Sequence, residues 1–377
     1  MVFHVCLIES VIVWTSLSFV CASSLTNDDH MPQEVHALIG EAVRIADNAD
    51  EEFERVWFRT IIADRIFDSY PDTARQLLLK AKKTGKASKD PWILHATTVL
   101  TSPGLVKSGD RRDVNGYVAA IESVSGAGAN KYSQIVLGIG VFSLSDWDSD
   151  RAVQLVQNIE QDDVRYHLLG VVASTVAKND KAKAIEILHS IPEEISLGYR
   201  LIMKIDGIES LDEKKQLSLC QEILKEIDKA KTILDQQFIY SLYVSIALNS
   251  NFRKADPSKA ESLLNESIRI LRSLNDPGGR LSGIAKEVST KWDRGKGINL
   301  FREAVELAEK EGATDPYQAA CALLEIARNI RSIDKAKGEE FLKDAEKRFR
   351  HVVVSLSSVY RVQFLSSMAT FYFSDSK

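Results

Sequence analysis

One pattern, stated twice, constrains this chain more than any other feature. In Ser149 to Ile159 the residues Ala152, Val156 and Ile159 stand four and three apart, and Ala184, Leu188 and Ile191 repeat those spacings 32 residues on. Such spacings put side chains on one face of an α-helix, so the same face is written twice. Between the copies Val164, Leu168, Val171, Val172 and Ala173 form a second helical stripe. The unit is therefore two antiparallel helices, and each pair has an apolar face that only a neighbouring pair can cover. The small residue lets backbones approach, and the larger one four positions later fills the space beside it.

The spacing recurs along the chain. Ala74, Leu78 and Ala81 give the first copy, and Gly116, Ala120 and Ser123 give a weak one. Cys220, Leu224 and Ile227 continue it, then Ala260, Leu264 and Ser267, then Gly297, Phe301 and Ala304, then Gly338, Leu342 and Ala345. Successive small residues lie 42, 36, 32, 36, 40, 37 and 41 positions apart. First helices are predicted at 162–177, 194–208, 233–249, 279–291 and 317–330, and Asp150, Asp180, Asp256 and Asp334 stand where a carboxylate can cap the following second helix. Nearer the start, Pro32 opens an amphipathic helix, and Asp50 caps one that carries Phe53, Val56, Trp57, Ile61 and Ile62. Pro91 opens another, which Ser102, Pro103 and Gly104 are predicted to end, and Gly138 and Gly140 permit close backbone approach further on.

A small residue, a bulky one four positions on and a small one three beyond that resembles the second helix of the tetratricopeptide-like repeats. Ala74, Leu78 and Ala81, or Gly297, Phe301 and Ala304, carry the likeness best, and it covers about 53–373. The spacing is mostly longer than that family's period of roughly 34 residues. Its tryptophan, leucine-glycine and tyrosine marks on the first helix are not kept. The resemblance implies an all-α fold, a right-handed α-solenoid of antiparallel helix pairs with a period of roughly 36–41 residues. It would run as a single domain over 33–377, with first helices lining a concave face.

The first 22 residues differ from the rest. Val11 to Ala22 is apolar apart from Thr15, Ser16 and Ser18, and Val20 and Ala22 sit where a signal peptidase wants small side chains. We read 1–22 as a secretory signal and 23–32 as a disordered linker, which places the protein extracytoplasmic or secreted. Two alternatives stand: Met31 as the true start, leaving a cytoplasmic protein, or a retained segment, the one case in which membrane contact is expected. Cys6 and Cys21 belong to that segment, and Cys220 and Cys321 lie on helical apolar stripes as small core residues.

A formal charge of −5 over 377 residues, with acids and bases interleaved, makes no field for nucleic acid. Asp146, Asp148 and Asp150 begin like a calcium loop, but Arg151 stands where that loop needs glycine and Gln157 where it needs glutamate. They read as helix caps. Gly126, Gly128 and Lys131 read as a plain loop, and no catalytic, cofactor-binding or metal-ligating set is assigned. The candidate binding residues are aromatics near the openings of first helices, three of them beside arginine: Tyr166 with Arg165, Tyr199 with Arg200, Tyr360 with Arg361, and also Tyr240 and Tyr317. Tyrosine and arginine give large contact area and directed donors, although repeat packing also produces a recurring aromatic.

The reading is a non-enzymatic helical-repeat protein whose extended surface binds a protein or peptide, as scaffold or adaptor. The rival is an extracytoplasmic enzyme on an α/α toroid acting on polysaccharide, which needs carboxylates and aromatic platforms around one opening. Trp57, Trp92, Trp147 and Trp292 are not clustered in sequence. The final stretch, with Phe364, Phe371, Tyr372 and Phe373, would leave aromatics in water unless it caps the last repeat, and so offers a face for self-association.

Overall fold

The computed structural model describes residues 31–126, 132–159, 161–206, 208, 211–232, 234–274 and 276–372. The signal segment, most of the linker, Gly128, Lys131 and Phe373 fall outside the described residues. Among those described the structure is all-α, without strands, and consecutive helices pack as antiparallel pairs. The helices are α1 (Gln33–Asp47), α2 (Glu52–Ile66), α3 (Pro71–Ala87), α4 (Pro91–Lys107), α5 (Val114–Gly126), α6 (Ser133–Trp147), α7 (Ser149–Gln157), α8 (Asp162–Val176) and α9 (Lys181–His189). They continue as α10 (Glu193–Asp206), α11 (Glu213–Ala230), α12 (Gln236–Leu248), α13 (Ser250–Ala255), α14 (Pro257–Leu271) and α15 (Pro277–Lys291). The last are α16 (Arg294–Gly312), α17 (Pro316–Arg331), α18 (Lys335–Val352) and α19 (Ser358–Phe371).

Where the sequence reads as one domain over 33–377, the structure divides into two compact units, one formed by 1–184 with 356–377 and the other by 185–355. In the first unit the first-type helices α2, α4, α6 and α8 pack side by side, and the second-type helices α3, α5 and α7 fill the joints between them. The second unit repeats this with α15 and α17 side by side and α16 between them.

The small residues of the motif are where the packing argument puts them. Ala74, Ala152, Ala184 and Ala260 have no exposed surface (0% each). A Cβ on Gly297 would lie 1.8 Å from Ser289 Oγ and 2.7 Å from the Ala285 carbonyl oxygen, so α15 and α16 meet backbone to side chain. A Cβ on Gly140 would lie 2.9 Å from Ile121, the close approach expected of it.

The caps follow one strict rule. Asp148, Asp180, Asp256, Asp293 and Asp334 each accept a hydrogen bond from the backbone N–H three residues on, and the motif's small residue comes next. Each such cap is worth about 1 kcal/mol. Asp150 is therefore not the cap of its copy: it stands inside the first turn and pairs with Lys183 at 2.9 Å. Asp50 does not cap either, since α2 begins behind Glu51 with no side-chain cap.

Helix α4 does not end at Pro103 but runs through it to Lys107. Proline has no N–H, so the carbonyl of Val99 loses its helical donor. Tyr117 of α5 supplies the replacement, its hydroxyl donating to Val99 O at 3.2 Å.

The C-terminal helix α19 packs against α1 and α2 within the first unit. Val362, Phe364, Leu365, Met368 and Phe371 are all at most 1% exposed. The aromatics expected in water are thus covered by the beginning of the chain rather than by the preceding pair, while Tyr372 is half-buried. That cover removes the physical motive for self-association through Phe364 and Phe371.

Candidate functional site

Three parallel stripes in the first unit converge on one cavity of about 490 Å³. Trp57, Thr60, Asp64 and Phe67 descend from α2, Leu100, Pro103, Gly104 and Lys107 from α4, and Ile139, Phe142, Ser143 and Asp146 from α6. All have the three-and-four spacing of one helix face. Each helix reaches the cavity with its C-terminal end. Leu78 of α3 closes the back, so near that a Cβ on Gly104 would lie 2.6 Å from its Cδ1.

Rings form much of the wall. Trp57 lies 5.4 Å from Tyr132 and 5.9 Å from Phe53, which in turn lies 4.9 Å from Trp92, so it is held from behind by an aromatic cluster. Trp147 is held by Tyr117, 4.7 Å between ring centres. The hydroxyl that replaces the donor missing at Pro103 thus belongs to the ring that positions one wall of the cavity.

Two carboxylates face this space. Asp64 is exposed to it while protein crowds around, and the desolvation pushes its carboxyl above the ordinary value of 3.8, against the lowering fields of Arg65 and Lys107. Desolvation raises Asp146 as well, opposed by Lys178 and Arg112. Both occupy the last turn of a helix, where the carbonyl ends carry partial negative charge and oppose an anion. Lys107 pairs with Asp68 at 2.6 Å and lies 4.6 Å over the Phe67 ring. The Arg112 guanidinium lies 5.3 Å over Trp147.

The cavity was not among the sequence-predicted sites. Trp57 and Trp147 are far apart in the chain, and Asp146 read as part of a capping run. The structure keeps the capping role for Asp148 and puts Asp146 in the cavity. The available signal was an acid in the last turn of a helix, twice, where the helix dipole disfavours it.

The predicted tyrosine and arginine residues are divided between the units. Arg165, Tyr166, Tyr360 and Arg361 belong to the first, and Tyr199, Arg200, Tyr240 and Tyr317 to the second. Arg165 lies 4.9 Å over the Tyr166 ring and donates to Ile159 O at 2.9 Å, tying down the loop before α8. Tyr199 is 8% exposed and packs edge-on against Phe238 at 5.3 Å, and burial pushes its hydroxyl up to about 12. That is a packing role. Arg200 pairs with Glu193, Tyr240 is half-buried, and Tyr317 hydrogen-bonds Cys321. Tyr360 is the exposed one, at 47%. None of the eight lines the cavity.

Among the described residues no group of three or more His, Cys, Asp and Glu is placed to hold a metal ion, and no helix is long and apolar enough to cross a membrane. The fold and its repeated packing define an all-α helical-repeat protein built from antiparallel helix pairs. Compared with known protein families, curated proteins and solved structures, the chain matches none.

Proposed function

We propose that this helical-repeat protein binds a protein or peptide, and that a segment of that partner is anchored in the cavity of the first unit. The observation that carries the proposal is the cavity itself: about 490 Å³, walled by rings held from behind, on the layer of first-type helices. Its size is typical of ligand sites and suits a side chain with its flanking backbone, not a folded domain. The stacking of helix pairs keeps the wall rigid, so little ordering cost falls on binding. Tyr166 with Arg165, and Tyr360 with Arg361, are proposed as contacts for the partner beyond the anchor. The proposal extends to location: with 1–22 acting as a secretory signal, the partner is met outside the cytoplasm.

The test is selection of peptides from a displayed random library by the full chain, followed by binding to Ser143→Trp, which fills the cavity. Enriched peptides that lose affinity for a Ser143→Trp protein of unchanged circular dichroism support the reading. Peptides that bind it as well as the wild type, or no enrichment, refute it.

A second reading has its own observation. Two carboxylates raised by desolvation within an aromatic wall are also what polysaccharide cleavage uses, one as acid and one as base or nucleophile. Release of reducing ends from a polysaccharide panel, abolished by Asp64→Asn and Asp146→Asn, would favour it over the binding reading.

A further inference from the structure

Helices α2, α4 and α6 all end at the cavity, so three sets of terminal carbonyls contribute negative potential there. On two of them the last turn adds a carboxylate, Asp64 and Asp146. Neither side chain has a hydrogen bond or ion pair from the described chain. Their neighbouring cations act at a distance: Arg65 and Lys107 on Asp64, with Asp68 opposing, and Lys178 and Arg112 on Asp146. Lys107 is already engaged by the Asp68 carboxylate at 2.6 Å. The upward shift of both carboxyls means that these cations fall short of offsetting the desolvation.

The walls favour the same guest. An aromatic face is the negative side of a ring's quadrupole and attracts cations. Arg112 over Trp147 and Lys107 over Phe67 show that these rings take both a guanidinium and an ammonium. Trp57 and Phe142 also line the cavity, and among the described residues neither carries a cation. An anionic guest would meet ring faces, helix C-termini and two carboxylates, while the two cations of the lining, Lys107 and Arg112, are already engaged by the Asp68 carboxylate and the Trp147 ring.

We propose that the cavity binds the side chain of a lysine or arginine presented by a peptide partner, its aliphatic stem along Trp57 and Phe142 and its cationic head among Asp64 and Asp146. The inference rests on the peptide-binding reading above and adds the chemistry of the anchor. Long cationic side chains suit such a site because their stems bury apolar surface while the head finds charge.

The experiment titrates the full chain with capped tripeptides whose central residue is lysine, arginine, norleucine or glutamate, read by intrinsic tryptophan fluorescence and by calorimetry. Trp57 and Trp147 in the wall make the first readout local. Lysine or arginine peptides are expected to bind saturably, with norleucine about ten-fold weaker. Asp64→Asn and Asp146→Asn, each at an exposed side chain and each checked for unchanged circular dichroism, are expected to weaken the lysine peptide by about as much. Norleucine equal to lysine, with neither variant altering affinity, overturns the cationic anchor and leaves the peptide reading standing. Preference for glutamate overturns it also. Binding of a neutral oligosaccharide with no peptide bound overturns both.

Discussion

Adding one methyl group at Gly297 tests the packing rule on which the fold rests. Its Cβ would lie 1.8 Å from Ser289 Oγ, 2.7 Å from Ser289 Cβ and 2.7 Å from the carbonyl oxygen of Ala285. The hydroxyl can rotate, and it is buried without a partner, so moving it loses no bond. The carbonyl belongs to the helix backbone and cannot move alone. Helices α15 and α16 must part, and they are held on the other side by Gly278, whose own Cβ would lie 2.9 Å from Ala304 O. Overpacking of this kind costs about 1–3 kcal/mol, and the rigid acceptor places Gly297→Ala in the upper half of that range. Against it stands the helix propensity of alanine over glycine, about 1 kcal/mol. The expected net loss is about 1–2 kcal/mol. Gly283→Ala is the control, since nothing lies within 4 Å of its Cβ in the same helix pair, and it should gain about 0.5–1 kcal/mol. Ser289→Ala in the Gly297→Ala background should restore part of the loss but not all, because the Ala285 oxygen remains. The assay is urea denaturation followed by far-ultraviolet circular dichroism. Gly297→Ala as stable as Gly283→Ala would refute the argument that the small residue is there to admit the neighbouring backbone.

Tyr117→Phe removes the donor to Val99 O and leaves a buried carbonyl unsatisfied, at an expected cost of about 1–3 kcal/mol. Pro103→Ala returns a backbone N–H to that carbonyl, so Tyr117→Phe should cost less in that background, and a double-mutant cycle with no coupling would count against the account. Asp276 caps α15 from a left-handed conformation (φ 51), and burial, reinforced by Glu311 and Glu325 and opposed by Arg280, pushes its carboxyl from 3.8 to about 7. A carboxyl raised in the folded state binds its proton more tightly there than in the unfolded chain, so its contribution is fully favourable below the ordinary value and is lost as pH rises through about 7. Asp276→Asn keeps the capping oxygen and should raise the denaturation midpoint above that of the wild type at about pH 8 while leaving it level near pH 3, and the same difference at both would defeat this assignment.

The repeat was legible because it is local. A small residue followed at four and three positions needs only one helix and its neighbour to make sense, so Ala74, Ala152, Ala260 and Gly297 could be placed at helix contacts from spacing alone, and the all-α pairing followed. The exact cap was less legible: Asp148 and Asp150 offer the same carboxylate two residues apart, and only the backbone geometry at the helix start decides which oxygen reaches a free N–H. Pro103 misled for a related reason, since the donor that repairs its gap comes from Tyr117 on another helix. The cavity and the place of α19 were decided by tertiary structure. Trp57, Lys107 and Asp146 lie far apart in the sequence on three different helices, and they become a site only when α2, α4 and α6 pack side by side. Likewise the apolar face of α19 announces that something must cover it, because water cannot. A face of that kind is satisfied by any apolar partner of the right width, and it was the packing of this chain that chose α1 and α2.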